Sequence, residues 1–439
     1  MTGPLLGLLL VSLARAAPDD TVGTELRVSP TALNVRATPA LDGELRGLIA
    51  KGEPFVVLGR AEGTGCGGDG WGRVLDSTAG DGFACLERTS VTTESPAHLP
   101  WLVNFEAPVP ADYPTYVKSG DYPRAQRSPS IPYIYGKRWR RWHGQVWDNV
   151  DAWVRGLPSA DQLDTGHSYS FVGVVDTPRG RAFVRPDGSV VPATEVFLFP
   201  VTGFQGRDLS ASPPAKGTTP AWVVAYDGAR IQAAAGGTDK QAPILPYHAE
   251  LNVPTEATGR WWEVADALGK GTPGYVAASS IRRWVGAPRP TEIADEENWI
   301  DVDLDQQTIA WMQGDKPRYV TLVSTGSAGH ETPVGTFRIY DKSTTGDMKS
   351  LEGAKDPYHV EEVPWVMHFK PRYALHGAFW HWGFGHTASH GCINLSPIDA
   401  RYIFDHVTPA LPDGFTTIRK GAEPGTLVRI RESGGSRAK

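Results

Sequence analysis

Turn-forming residues interrupt this sequence along almost its whole length. Its 439 residues include 49 glycines and 36 prolines, and few stretches keep the apolar period of a long helix. Short runs that alternate apolar and polar residues lie between the turns instead. In the segment 169–201, "PRG" and "PDG" divide three such runs. The sequence therefore predicts a mainly β protein with a few short helices, and its length predicts more than one domain.

The charge balance argues against one class of partner. The chain has 43 basic and 49 acidic residues, which gives a net charge of −6, and the short basic tract 137–144 is interrupted by tryptophans. Nucleic-acid-binding domains usually carry a strong positive excess, so no nucleic-acid partner is predicted. No stretch is apolar for long enough to cross a bilayer, so no transmembrane span is predicted either.

The N-terminal residues have the pattern of an export signal. Residues 4–13 form an apolar run that is too short to span a membrane, and the tripeptide 14–16 has the small-x-small spacing of a cleavage site. A signal peptide over residues 1–16 is predicted, although the usual positive charge before the apolar run is missing. The mature protein is therefore expected to be exported, to the periplasm or the cell wall.

Cysteine is rare, and its three occurrences differ in setting. Cys66 and Cys85 lie in one glycine-rich region and are predicted to form a disulfide in an oxidising compartment. Cys392 is then left over. Such an odd thiol can pair with another chain, react, or lie buried and inert, and cysteine spacing alone does not choose between these.

A repeated pattern organises the chain before residue 290. Residues 24–92 and 221–288 each contain short β-type runs, with a tryptophan-bearing run just before a final glycine-aromatic run. This pattern resembles the bacterial SH3-like barrel, a module often attached to cell-wall enzymes. The resemblance implies two SH3-like β modules, which either bind the wall or act as spacers.

The rest of the chain differs from these repeats in composition and in strand pattern. Residues 93–160, rich in proline and aromatic residues, are predicted to be an irregular connector, and residues 161–220 a β-meander of unassigned role. A proline-containing linker at 286–292 precedes a further domain, predicted over residues 292–433. Its first strand alternates apolar residues with aspartates. Period 2 predicts a solvent-facing row, rather than a metal site, for Asp301, Asp303 and Asp305.

A helix start follows Cys392 closely. Ser396 has the character of an N-cap, Pro397 suits the first helical position, and Asp399 stands at the capping-box spacing. Apolar residues then recur at helical spacing, which predicts a helix packed on a sheet. Cys392 is thus predicted to lie in a turn where backbone N–H groups and a neighbouring histidine stabilise a thiolate.

A nucleophilic thiol needs a base and donors for the oxyanion that it creates. His390 is too close in sequence to turn back easily onto the sulfur, whereas His376 ends an alternating segment and can come from an adjacent strand. The N–H groups of Gly391 and Cys392 are candidate oxyanion donors, since glycine allows close approach of a substrate.

Three segments, "STGSAGHETPVGTFRIYDK", "YALHGAFWHWGFG" and "SHGCINLSPIDA", resemble the L,D-transpeptidase catalytic domain of the YkuD family. The resemblance covers residues 297–431, and its most specific motif, Ser/Thr-His-Gly-Cys-x-Arg/Asn, falls on residues 389–394. It implies a mostly β catalytic domain that transfers acyl groups of peptidoglycan stem peptides through a cysteine. No cofactor and no metal are predicted.

The resemblance also implies residue roles. Cys392 would be the nucleophile and His376 the general base, oriented by the carbonyl of Gly377, and His390 would support the cysteine loop. The residues implied to fix this loop and the substrate end are Ser389, Gly391 and Asn394. Those implied to line the substrate cleft are Tyr358, Trp380, His381 and Trp382, with His386 on its wall. The aromatic segment 380–386 is then either a lid over substrate or a loop that covers its own sheet.

The implied reaction has several outcomes. The thiolate attacks the carbonyl of the third stem residue, D-Ala leaves, and an amine of a second stem resolves the thioester into a 3–3 cross-link. Water as the acceptor would give an L,D-carboxypeptidase, and a lysine of an outer-membrane or wall protein would give protein attachment. A non-catalytic peptidoglycan-binding protein is the alternative from another class.

Two other enzyme classes fit the sequence less well. Four histidines crowd near Cys392, but their spacing matches no zinc motif, and the glycine-rich segment between them is a poor helix for presenting ligands. A papain-like peptidase would place its histidine after the cysteine. Here His376 precedes it.

Overall fold

The fold is mainly β, as the sequence predicts. The computed structural model describes residues 25–76, 80–94, 116–118, 130–139, 143–265, 267, 272–354, 357–419 and 424–434. Within these residues the α-helices are Val150–Val154 and Pro397–His406, and 3-10 turns lie at Ala193–Glu195 and Ala278–Ser280. The predicted signal peptide, residues 1–16, lies outside the described residues.

Residues 25–91 form a small β unit, called here the first module. Its strands are Glu25–Val28, Leu33–Arg36, Leu45–Ile49, Pro54–Val57, Gly59–Ala61, Trp71–Leu75, Gly82–Cys85 and Ser90–Val91. Val35 and Phe55 are fully buried in its core, and Phe415 of the C-terminal domain packs against that core. A disulfide joins Cys66 to Cys85. The SH3-like character of this unit stays a prediction.

The segment after the first module, called here the middle unit, is more ordered than predicted. Its strands are Tyr116–Lys118, Ile134–Arg138, Gln145–Val146, Asp161–Gln162, His167–Phe171, Gly173–Thr177, Gly180–Val184, Val190–Pro192, Val196–Leu198 and Arg207–Asp208. Strand Ile134–Arg138 pairs antiparallel with His167–Phe171 and with Val196–Leu198. The described part of residues 93–160 is therefore not an irregular connector, and the predicted boundary at residue 160 divides one folded unit. No local signal predicts strand Ile134–Arg138, because its partner strands lie far along the chain.

Residues 218–283, called here the second module, have a separate core that includes Ala221, Val253 and Ile281. The strands are Thr218–Val223, Ala229–Arg230, Ile244–Leu245, Glu250–Pro254, Trp261–Val264, Gly274–Ala277 and Ile281–Arg283. Its central strand Thr218–Val223 pairs antiparallel with both Glu250–Pro254 and Ile281–Arg283.

The C-terminal domain places one core between two sheets and a helix. Its strands are Asn298–Asp303, Thr308–Gln313, Lys316–Leu322, Gly335–Arg338, Asp341–Lys349, His359–Lys370, Tyr373–Gly377, Ile393–Leu395, Phe415–Ile418 and Leu427–Arg431. Ile300 from the first sheet, Trp365 from the second and Ile403 from the helix Pro397–His406 meet in this core. The helix begins as predicted, because the Asp399 N–H donates to the Ser396 hydroxyl at 3.1 Å.

One sheet runs through three units of the chain. In the C-terminal domain, strand His359–Lys370 pairs with Asp341–Lys349, which pairs with Phe415–Ile418. At one side, His359–Lys370 pairs in parallel with His167–Phe171 of the middle unit. At the other, Phe415–Ile418 pairs antiparallel with Leu45–Ile49 of the first module. Backbone hydrogen bonds therefore join these units, in addition to side-chain packing.

The predicted solvent-facing row of aspartates is wrong. Asp301, Asp303 and Asp305 are 4%, 2% and 3% exposed. Arg429 and Arg431, from the strand beside them, cover this face and form ion pairs with Asp301 at 2.7 and 2.8 Å. Asp305 accepts hydrogen bonds from the backbone N–H groups of residues 433 and 434 at 2.9 Å. The alternation of apolar and polar residues predicted the strand correctly. It did not predict that Arg429 and Arg431 cover the polar face of that strand.

Candidate active site

Two paired strands bring the predicted base and nucleophile near each other. Strand Tyr373–Gly377 runs parallel to Ile393–Leu395, with His376 opposite Asn394. Cys392 immediately precedes the second strand and stands two residues before Asn394. Side chains two residues apart share a face, as do register partners on neighbouring strands. His376 and Asn394 therefore project from the same side, and Cys392, in the bend before the strand, is hydrogen-bonded to the backbone of Ala374, two residues before His376.

His376 is held as a neutral proton acceptor. Its side chain is buried, and Nδ1 lies 3.3 Å from the carbonyl oxygen of Gly377. A carbonyl can only accept, so Nδ1 carries the proton and Nε2 keeps its lone pair. Burial lowers the pKa of His376 to about 4, and the neighbouring His381 and His368 act in the same direction. At neutral pH this imidazole can take up a proton.

Cys392 is a free, partly exposed thiol, and its environment differs from the expected one. Withdrawal of the sulfur from water raises the pKa of Cys392, and a hydrogen bond from the Ala374 backbone lowers it by less. The predicted stabilisation by N–H dipoles and a neighbouring histidine is thus outweighed by burial. The resting pair is a thiol and a neutral imidazole, so the proton must leave as the sulfur attacks.

The loop that carries Cys392 is fixed by three hydroxyl contacts. The Ser389 hydroxyl donates to the Cys392 carbonyl at 2.5 Å and accepts from the Gly391 N–H at 3.1 Å. The Thr332 hydroxyl donates to the Gly391 carbonyl at 2.8 Å. The Gly391 N–H, a predicted oxyanion donor, is therefore engaged within the loop itself.

Gly391 meets a backbone requirement that no other residue satisfies well. Its φ is +112°, and a Cβ at this position would lie 2.7 Å from the ring of Tyr373. Both the backbone conformation and the close approach of that ring favour glycine.

The His390 side chain, in the loop that carries Cys392, contacts two other rings. Its ring centroid is 4.4 Å from that of His330 and 5.1 Å from that of Tyr358. Burial and the nearby Cys392 raise the pKa of Tyr358, which sets this side chain close to the thiol. Sequence reasoning named neither His330 nor Thr332 individually, although both lie in the first of the three segments that carry the family resemblance.

The aromatic segment 380–386 borders the base on one side. The Trp380 ring centroid is 5.7 Å from that of His376. His381 Nε2 lies 3.0 Å from the Asn394 side-chain amide, and burial lowers the pKa of His381 to about 4. Trp382 is 55% exposed. His386, predicted on the cleft wall, donates from Nε2 to the Val224 carbonyl of the second module at 2.7 Å.

The arrangement suits nucleophilic acyl transfer. A buried neutral histidine with a fixed tautomer, a thiol next to its strand and a rigid loop between them are the parts that such chemistry needs. In the described residues, no three histidine, cysteine or carboxylate side chains converge as a metal site would require. No helix in the described part of the chain has the length and apolar character to cross a membrane.

Comparison with family models matches residues 297–430 to the YkuD family, the L,D-transpeptidase catalytic domain. The comparison with curated proteins gives no match.

Solved structures of L,D-transpeptidases are similar to parts of the chain. The catalytic domain of the Enterococcus faecium (E. faecium) L,D-transpeptidase is 25% identical, with 31% of this chain and 98% of that chain covered and a TM-score of 0.25. L,D-transpeptidase 3 from Mycobacterium tuberculosis is 17% identical, with 39% and 78% covered and a TM-score of 0.26. The L,D-transpeptidase from Mycobacterium smegmatis is 17% identical, with 54% and 90% covered and a TM-score of 0.26. The assignment of the domain rests on the family model.

Proposed function

Because residues 297–430 form an L,D-transpeptidase catalytic domain, we propose that the chain is a cysteine acyl-transferase that cross-links peptidoglycan stem peptides. The observation that carries this proposal is the position of Cys392 directly before the strand that pairs with the strand of His376. The hydrogen bond of His376 Nδ1 to the Gly377 carbonyl supports it, because it directs the free lone pair of Nε2 away from the backbone.

Acylation begins when the Cys392 sulfur attacks the carbonyl carbon of the third stem residue. His376 Nε2 takes the thiol proton as the C–S bond forms, and the Cys392 N–H is the remaining candidate donor to the oxyanion. The intermediate collapses with cleavage of the amide bond to the terminal D-Ala. His376 returns the proton to the leaving amine, so the thioester forms with neutral His376.

Deacylation runs through the same two side chains. The side-chain amine of a diamino acid on a second stem attacks the thioester and loses a proton to His376. The C–S bond breaks, the sulfur regains that proton, and a 3–3 cross-link results. If water takes the place of the amine, the product is the shortened stem, and the enzyme acts as an L,D-carboxypeptidase.

The proposed site of action is outside the cytoplasm, in the periplasm or cell wall. The disulfide between Cys66 and Cys85 supports an oxidising compartment, where such bonds persist. The substrate is located there too. The two modules would then either bind the wall or act as spacers.

The first test is acylation by a carbapenem, followed by intact mass spectrometry. The wild-type protein should gain the mass of one carbapenem molecule. Cys392→Ala should gain none, and His376→Ala should react at least about 100-fold more slowly, the low end of what a lost general base costs. Circular dichroism of both variants controls for folding.

A second experiment distinguishes transpeptidase from carboxypeptidase activity. Purified tetrapeptide muropeptides should yield cross-linked dimers, whereas tripeptides alone would indicate the carboxypeptidase. An absence of adduct in wild-type protein whose Cys392 still reacts with iodoacetamide would contradict the proposal and favour a non-catalytic wall-binding protein.

A further inference from the structure

Side chains of the second module form hydrogen bonds with the backbone of the aromatic segment 380–386. The Tyr247 hydroxyl donates to the carbonyls of Trp382 and Phe384, at 3.3 and 3.2 Å. His248 Nε2 lies 3.2 Å from the same Phe384 carbonyl, and so it is the protonated nitrogen. Two side chains of one module thus bind two carbonyls of a segment from another domain.

The contact is close as well as polar. A Cβ on Gly385, whose φ is +97°, would lie 2.4 Å from Val224 of the second module. The His386 ring stacks on Tyr226 at 4.9 Å between centroids, and Tyr247 stacks on His248 at 3.8 Å. The aromatic segment therefore packs closely against the second module and has little free space to move toward that module.

The opposite side of the segment borders the catalytic pair. Trp380 lies against His376, and His381 meets the Asn394 amide two residues beyond Cys392. The Ser324 hydroxyl donates to the Gly383 carbonyl at 3.0 Å, so the C-terminal domain holds the segment as well. Seven residues thus connect the second module to both the base and the nucleophile loop.

We propose that Tyr247 and His248 are positioning residues for the active site. They hold the segment 380–386 so that Trp380 keeps water from His376 and His381 keeps Asn394 in place. The inference rests on the proposed role of Cys392 and His376 in acyl transfer. It gives the second module a part in the reaction whether or not that module binds the wall.

The test uses the full chain with Tyr247→Phe, which removes the hydroxyl and keeps the ring. The matched control is Tyr275→Phe in the same module, whose hydroxyl donates to Glu263 at 3.2 Å, in a pair not involving the aromatic segment. His248→Asn is a second variant: asparagine tolerates the positive φ of 65° at this position, but its shorter amide gives up the bond to Phe384.

We expect a carbapenem to acylate Cys392 more slowly in Tyr247→Phe and in His248→Asn than in wild type. The rate should fall about tenfold, the equivalent of about 1.4 kcal/mol in the barrier, while the control stays within about twofold of wild type. The pH dependence of that rate gives a second readout. The acid limb set by His376, near pH 4 in wild type, should move toward 6.5 as water reaches the imidazole.

A purely structural role would lower the melting temperature and leave the acid limb where it is. Variants with wild-type acylation rates, or with an unmoved acid limb, would therefore overturn the inference. A wild-type protein that fails to acylate would instead overturn the proposed function, so the two failures are distinguishable.

Discussion

At the scale of single residues, burial determines the protonation of this site. His376, His381 and His248 all have pKa values lowered to about 4, in each case chiefly by withdrawal from water. They lie in or beside the aromatic segment and its contacts. Of these, neutral His376 can accept a proton from Cys392, which a charged imidazole cannot.

The same three histidines should make stability depend on pH. Their pKa is about 4 in the folded chain and 6.5 when unfolded, so the unfolded state binds more protons between these values. Their contribution is complete above pH 6.5 and is lost as the pH falls to 4. Each adds a slope of up to about 1.4 kcal/mol per pH unit in that window. Urea unfolding at half-unit steps from pH 7 to 4 measures it.

A variant provides the check on that slope. His381→Gln removes one titrating group and should make the fall between pH 6.5 and 4 shallower. Equal slopes for wild type and His381→Gln would show that His381 does not contribute to this pH dependence.

At the scale of elements, the strand Asn298–Asp303 shows how a polar face is buried. Asp301 accepts from Arg429 Nε at 2.7 Å and from Arg431 at 2.8–3.1 Å. Both guanidinium groups belong to strand Leu427–Arg431, its parallel neighbour. The cluster satisfies charges that have been removed from water.

Asp301→Asn should therefore destabilise the fold strongly. It removes the ion pair of the mostly buried Arg429 guanidinium and leaves Arg431 paired with Asp303 at 3.1 Å, and such a broken buried pair costs about 3–5 kcal/mol. Asp176→Asn is the control, since Asp176 pairs with Arg181 at 2.6 Å on the exposed surface. That change should cost less than about 1 kcal/mol. Chemical denaturation of both variants measures the difference, and equal losses would contradict the argument.

Elements whose signals are local could be predicted from sequence, and elements that need distant partners could not. Ser396, Pro397 and Asp399 define a helix start among themselves, and the helix begins there. The alternating aspartates predicted strand Asn298–Asp303 correctly, but they were wrongly predicted to face solvent. Their burial could not be predicted locally, because Arg429 lies 128 residues away from Asp301. For the candidate site, His376 and Cys392 followed from pattern and resemblance. Tyr247 and His248 did not, since no local signal marks a contact between modules.

At the scale of the whole molecule, the middle unit and the C-terminal domain share a core. Fully buried Tyr135 stacks on Phe379 at 3.7 Å between ring centroids and donates to the Glu362 carbonyl at 2.6 Å. The Trp365 indole donates to the Ser130 carbonyl at 2.6 Å. Trp380 and Cys392 also pack against this core, so the candidate active site borders on it.

Tyr135→Ala should therefore weaken both units together. Loss of a buried aromatic ring costs about 3–5 kcal/mol, and a shared core and sheet should unfold in one transition. Differential scanning calorimetry should show a single peak for these units that moves to lower temperature. Leu157→Ala, a half-exposed apolar residue of the middle unit, is the control and should hardly move it. Two peaks, only one of them shifted, would show that the units fold independently.

The sheet shared by the three units also limits how this protein can evolve. A recombination event that transferred residues 297–430 alone would expose the side of His359–Lys370 that His167–Phe171 covers and the side of Phe415–Ile418 that Leu45–Ile49 covers. Exposed strand sides of this kind recruit other chains into aggregates. We therefore expect the flanking units to be retained together with the catalytic part, and a replacement for either would have to supply a strand in the same register.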